Sequence, residues 1–174
     1  MEHMVQQYGL EGIRTRQLDI LPDARGFFCE ALRQDWAEFV GESVLQANLS
    51  CTYPNVVRAW HRHSRGQVDY FLVVRGDLKI CAYDAEIERL SEIIASEDKP
   101  LLVRIPEHYC HGTKTIGNET SLTIYFVTRL YDYRDPDEQR RPWNDPNVVP
   151  SQINGGKDDP RISNPWDWFY PPHK

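Results

Sequence analysis

Six short apolar or alternating stretches mark the first three quarters of the chain: residues 44–50, 56–60, 68–74, 78–83, 101–105 and 122–128. Gly, Pro, Asn and Asp punctuate the gaps. Segments of that length and period are strands, and several of them at regular spacing predict an antiparallel sandwich or barrel. Arg75-Gly76-Asp77 reads as a tight hairpin turn between two of them. A helical signal is confined to one short segment, 34–40, while 85–95 is ambiguous between a helical turn and a strand. The expected class is all-β with a few short helices.

At 174 residues the chain suits one domain spanning 1–174, with the core at about 10–135. From about 136 to 174 it turns rich in Pro, Asp, Asn and Trp and loses its periodicity. Trp143, Trp166 and Trp168 lie in that stretch, and disordered tails are poor in aromatics, so an ordered irregular C-terminal wrap is expected. The formal net charge of −6 argues against a nucleic-acid partner, which needs a basic face. Cys29, Cys51, Cys81 and Cys110 have no paired spacing and read as reduced thiols. The opening residues lack a signal-peptide pattern, and no apolar run reaches the roughly 20 residues of a membrane helix. A cytoplasmic protein without a membrane partner is the expectation.

The chemistry-bearing stretch is Arg58-Ala59-Trp60-His61-Arg62-His63. Strand alternation would put His61 and His63 on one face, with Arg58, Trp60 and Arg62 turned away. With Asp69 and His111 on neighbouring strands, the pair could clamp a divalent transition metal. Alternatively, one imidazole could be a general base. The spacing is similar to the two motifs of the cupin superfamily, but Asp69 stands where Glu is usual, and His108 replaces the Gly of the second motif.

A longer resemblance runs through Asp23-Ala-Arg-Gly-Phe-Phe-Cys-Glu30, Gln46-Ala-Asn48, Arg58-Ala-Trp-His61, Val74-Arg-Gly76-Asp-Leu78, Ile105-Pro106, His111-Gly112, Tyr125 and Trp143-Asn-Asp-Pro146. In that order these pieces resemble the RmlC family, the dTDP-4-dehydrorhamnose 3,5-epimerases, metal-independent members of the cupin fold. The resemblance implies an RmlC-like cupin jelly roll and a nucleotide-sugar epimerase or isomerase acting beside the C4 ketone of a dTDP-4-keto-6-deoxy sugar. It implies His61 as the base and Tyr125 as the acid on the opposite face. It also implies Arg25, Phe28, Glu30, Gln46, Asn48, Arg58, His111 and Tyr131 as substrate-lining residues. A homodimer and no cofactor follow from the same resemblance. Forked guanidinium groups suit phosphates, and a neutral imidazole suits proton abstraction near neutral pH.

Two departures stand out. The family orients its base with a C-terminal aspartate, for which Asp167 is a loose stand-in, with Asp158 and Asp159 competing. The family lysine expected near position 69 is replaced by Asp69, which would repel an enolate. Those changes keep two alternatives open. One is a metal-dependent cupin, a sugar isomerase or dioxygenase, with His61, His63, Asp69 and His111 as ligands. The other is a sugar-binding cupin without turnover.

Overall fold

Fourteen strands and no helix make up residues 5–171, which the computed structural model describes. In chain order they are β1 (Val5–Gln7), β2 (Arg14–Gln17), β3 (Leu21–Asp23), β4 (Gly26–Phe28), β5 (Gln46–Thr52), β6 (Val57–His63) and β7 (Asp69–Arg75). There follow β8 (Asp77–Asp84), β9 (Arg89–Ser96), β10 (Leu101–Ile105), β11 (Cys110–Ile116), β12 (Ser121–Val127), β13 (Glu138–Arg140) and β14 (Gln152–Ile153). One sheet runs β1-β2-β10-β7-β12-β5 and the other β13-β6-β11-β8-β9-β14, while β3 and β4 form a separate hairpin. Two six-stranded sheets face to face with crossovers between them form a jelly-roll sandwich, as the strand pattern predicted. No described helix is long and apolar enough to cross a membrane.

The sandwich is buried in layers, and the layering explains the sequence. Between the sheets lie Phe71, Val73, Leu78, Ile80, Ile93, Val103 and Ile105. On the outer face of the first sheet, Tyr70, Leu72 and Leu102 are covered by Phe39 and Val40 from the long connection before β5. Covered on both faces, β7 needs an unbroken apolar run rather than an alternating one, and 69–73 are all buried. The outer face of the second sheet is covered by the C-terminal stretch: Trp60, Cys81, Tyr83 and Leu90 pack under Val148, Trp166 and Trp168. Residues 136–171 also add β13 and β14 to the two edges of that sheet.

The helix expected at 34–40 does not form. The Trp36 carbonyl accepts from Phe39 N (2.9 Å) and Val40 N (2.7 Å), and the turn ends there. A single turn gains too few hydrogen bonds to offset nucleation. Here the burial of the adjacent Phe39 and Val40 fixes the turn instead. The ambiguous stretch at 85–95 resolves into a turn followed by β9, with Glu88 at φ 52°. Gly76 makes the expected hairpin between β7 and β8 at φ 71°, and a Cβ there would sit 2.9 Å from the Thr120 carbonyl oxygen.

One irregularity positions the site. β6 and β11 pair His111 with His61 but Thr113 with Arg58, so Gly112 of β11 opposes both Ala59 and Trp60 of β6. Gly112 lies in the slip, where an added Cβ would be 2.3 Å from the Ala59 Cβ. Such a bulge reverses the facing of residues on one side of it relative to the other. Arg58 and His61, an odd number apart, therefore both face the interior, and the expectation that Arg58 turns away with Trp60 is corrected. Trp60 does turn outward, onto the Trp168 ring 4.8 Å away.

Candidate active site

Four side chains from three strands of the two sheets converge in the sandwich: His61 and His63 from β6, Asp69 from β7 and His111 from β11. Asp69 Oδ2 accepts from His111 Nε2 at 3.0 Å. The same oxygen is 3.3 Å from His63 Nε2. The Gln67 amide donates to Asp69 Oδ1 at 2.8 Å and lies 3.1 Å from His63 Nε2. His111 Nδ1 meets the Tyr109 carbonyl at 3.1 Å, so both its nitrogens face acceptors. Asp137, from the segment before β13, places Oδ2 3.5 Å from His63 Nδ1. The His61 ring packs on His111 with centroids 4.2 Å apart.

Charge sorts these groups. Burial pushes the Asp69 carboxyl up, but hydrogen bonds from His111 and His63 outweigh it and hold the group well below the usual carboxylate range. Burial opposes charge on His63, yet the Asp69 hydrogen bond and the charges of Asp69, Asp137 and Glu138 raise it above its ordinary value. Burial first, and His111 beside it second, lower His61 to about 2. His61 is thus a neutral imidazole at any pH near 7.

These residues line a cavity of about 420 Å³ between the sheets, within the ordinary range for small-molecule sites. Tyr125 of β12 lines it from the opposite sheet, its ring stacked on Phe71 at 5.7 Å. Burial, then the charges of Asp69 and Glu138, raise the Tyr125 phenol, which keeps it a proton donor. Arg58 lines the same cavity, its Nε donating to Thr52 Oγ1 at 3.1 Å and its Nη2 to the Cys51 carbonyl at 3.0 Å. A larger hollow of about 750 Å³ adjoins it and shares His63, Gln67, Tyr125 and Glu138.

The model of the family described as polysaccharide biosynthesis C-terminal domain matches residues 21–139, more than half of the chain. This chain belongs to that family. Among curated relatives of this polysaccharide-biosynthesis domain, the probable low-salt glycan biosynthesis epimerase Agl13 of Haloferax volcanii is 39% identical over 140 residues, covering 78% of this chain and 89% of that one. The spore coat polysaccharide biosynthesis protein SpsL of Bacillus subtilis is 35% identical over 145 residues, covering 80% and 93%. Among solved structures, the dTDP-6-deoxy-D-glucose-3,5-epimerase RmlC of Legionella pneumophila, solved with dTDP-4-keto-L-rhamnose, superposes with a TM-score of 0.75 at 21% identity, covering 84% of this chain and 81% of that one. The dTDP-4-dehydrorhamnose 3,5-epimerase of Elizabethkingia anophelis gives 0.73 at 19% identity over 98% and 88%. At those identities the likeness shows that the polysaccharide-biosynthesis domain has the RmlC-type cupin fold.

Within this domain the predicted site residues separate into three groups. His61, His111, Arg58 and Tyr125 meet in the smaller cavity. Gln46, Asn48 and Tyr131 line the larger hollow with Tyr125, and Gln46 accepts from Tyr131 N at 3.0 Å. Arg25, Phe28, Glu30 and Asp167 line neither. Arg25 stands at the exposed tip of the β3–β4 hairpin, paired to Asp23 at 2.5 Å, and Phe28 is exposed on the same hairpin. Glu30 pairs with Arg33 at 2.7 Å. Asp167 is exposed and accepts from Phe169 N at 2.8 Å, so the C-terminal stretch does not bring it to His61. His108 is also exposed and outside the histidine cluster. Gln67, Asp137, Glu138 and Arg140 belong to the site although no motif pointed to them. The last three sit on a charged stretch with no apolar alternation, whose edge strand is only three residues long.

Proposed function

We propose that this chain is a nucleotide-sugar epimerase acting at a carbon beside the C4 ketone of a dTDP-4-keto-6-deoxy sugar. One observation carries the reading: a neutral imidazole on β6 and a protonated phenol on β12 line one cavity from opposing sheets. A ring held between them has one face toward each. The ketone acidifies the adjacent C–H, His61 takes that proton, and the electron pair moves onto the ketone oxygen as an enolate. Tyr125 then donates a proton to the opposite face and the centre is inverted. Asp69, though it stands at the place of the family lysine, is engaged by His111, His63 and Gln67, so its charge is compensated before substrate enters. The relationship to the probable glycan-biosynthesis epimerase supports the same activity.

Proton exchange tests the reading. With a dTDP-4-keto-6-deoxy sugar in deuterated water, label should enter a carbon flanking the ketone without added metal. His61→Ala should abolish this, whereas Tyr125→Phe should keep wash-in at the abstracted position and lose inversion. Undiminished exchange in His61→Ala refutes the assignment.

A second reading rests on the ligand atoms of His61, His63, Asp69 and His111, which lie within 4.8 Å of one another. Three imidazoles and a carboxylate suit a divalent transition metal, which would supply Lewis-acid polarisation of the ketone. Elemental analysis decides between the readings. Stoichiometric metal lost in the His61→Ala/His63→Ala double variant supports the second, and full activity after chelation removes it.

A homodimer is part of the proposal. Because Arg25, Phe28 and Glu30 line neither of the two cavities that hold the other predicted site residues, a role for them in substrate binding requires a second copy. Exposed Phe27, Phe28, Leu45 and Leu49 offer apolar surface for it. A monomer by light scattering would refute this part.

A further inference from the structure

β13 is the edge strand next to β6, and its register sets Arg140 directly opposite His61 and Glu138 opposite His63. Directly paired residues of antiparallel strands share a face, so Arg140 is carried on the face that bears the histidines. It lines the same cavity as Arg58, and its side chain is 76% exposed, which leaves the guanidinium at the mouth. Arg58 reaches the same cavity through the slip opposite Gly112.

We infer that Arg140 and Arg58 together form a clamp for the diphosphate of the substrate, with Arg140 the contact specific to this chain's edge strand. The inference rests on the nucleotide-sugar reading above and deepens it. Three features point the same way. The chain carries a net charge of −6, so a dianionic or trianionic ligand needs a local concentration of positive charge. The adjoining hollow is the more acidic of the two: Glu42, Asp132, Asp137 and Glu138 line it beside Arg129 and an Arg65 tied to Asp135 and Asp137. Arg140 stands directly opposite His61 in the β13–β6 register, and Arg58 and Arg140 line the cavity that His61 and Tyr125 also line. A sugar ring between His61 and Tyr125 would therefore lead its phosphates out past both forks.

Glu138 is the device that holds this arm before substrate arrives. Its Oε2 accepts from both Nε and Nη2 of Arg140, which presents the fork edge-on along β13. A diphosphate competes well for that fork, since it offers the paired acceptors a guanidinium prefers where Glu138 offers one oxygen. Arginine is required for this exchange, because lysine keeps the charge but not the fork.

The test is calorimetric titration with dTDP, alongside thymidine as the uncharged control and the exchange assay for chemistry. Arg140→Ala should weaken dTDP binding about tenfold or more, as for the loss of a charge-assisted bond. Arg140→Lys should fall between it and the wild type. The salt dependence of dTDP binding should flatten in Arg140→Ala, and KM for the sugar nucleotide in the exchange assay should rise. A dTDP affinity in Arg140→Ala within twofold of wild type overturns the clamp and leaves the epimerase reading intact. Failure of the wild-type protein to bind dTDP overturns the nucleotide-sugar reading and the clamp with it.

Discussion

Replacing Gly112 with alanine should damage the protein and its chemistry together, and the size of the effect follows from the β6–β11 slip. The new Cβ would lie 2.3 Å from the Ala59 Cβ, 2.8 Å from the Ala59 Cα and 3.0 Å from the Arg58 carbonyl oxygen. Carbon atoms pack best at about 3.5–4.0 Å, so the shortest of these contacts is roughly 1 Å too close. Two of the three obstructing atoms are backbone, and no rotamer relieves them. The strands must part. Overpacking of this kind costs about 1–3 kcal/mol, which lowers Tm by about 2–4 °C per kcal/mol in a domain this size. The strand that moves carries Arg58 and His61, and a misplacement of about 1 Å lowers turnover about 100-fold. Urea or thermal unfolding measures the first effect and deuterium exchange the second. Ala59→Gly added to Gly112→Ala removes the 2.3 Å contact but not the 2.8 Å one, so it should restore part of both losses, as a double-mutant cycle would resolve. A Gly112→Ala protein within about 0.5 kcal/mol of wild type and with undiminished exchange would refute this account of the bulge.

Two further outcomes test the layers around the site. Burial pushes the Glu42 carboxyl up, but the Tyr70 hydroxyl (2.6 Å) and the Arg104 guanidinium (2.5 Å) outweigh it and leave it below its ordinary value of 4.5. A depressed carboxylate stabilises the fold above its unfolded value and loses that contribution as pH falls through the folded one. Glu42→Gln should therefore be less stable than wild type near pH 7, with the gap in urea midpoint closing below about 4.5; a gap independent of pH refutes the assignment. Trp168→Ala deletes a buried ring that packs on Trp60 and donates to the Trp143 carbonyl at 3.1 Å. It should lower stability by about 3–5 kcal/mol in equilibrium unfolding, and a loss under 1 kcal/mol would mean that the C-terminal cover is dispensable.

Most of the long sandwich strands, though not β9 or β11, were legible because their side chains report burial directly. The doubly covered run of β7 and the Gly76 hairpin fall within a residue or two of where apolar pattern and turn chemistry place them. β11 was not legible: Cys110-His-Gly-Thr-Lys-Thr-Ile116 has few large apolar side chains because its inner face lines the cavity rather than the core. Tertiary packing decided the 34–40 turn against its local pattern. At the site, His61, His111, Arg58 and Tyr125 were found through motif order. The carboxylate partnering a histidine was sought in the C-terminal stretch, yet Asp69 engages His111 and His63 from the neighbouring sheet. The cupin-like spacing groups Asp69 with these histidines as ligands, although Asp69 and His111 lie 42 positions apart. Arg140 escaped because an edge strand takes its facing from its partner's register, not from its own pattern.

The slip between Arg58 and His61 also bears on how such a chain can change over generations. Because both side chains reach the cavity only through one extra residue on β6, the number of residues between them matters more than their kind. Substitutions at 59 and 60 are limited by Gly112 on one side and Trp168 on the other, and are selected one at a time. A single-codon insertion or deletion there removes or doubles the bulge and turns either the guanidinium or the imidazole out of the cavity at a stroke. Length variation among descendants of this chain should therefore gather in the connections before β5 and after β12, and spare the interval 58–61.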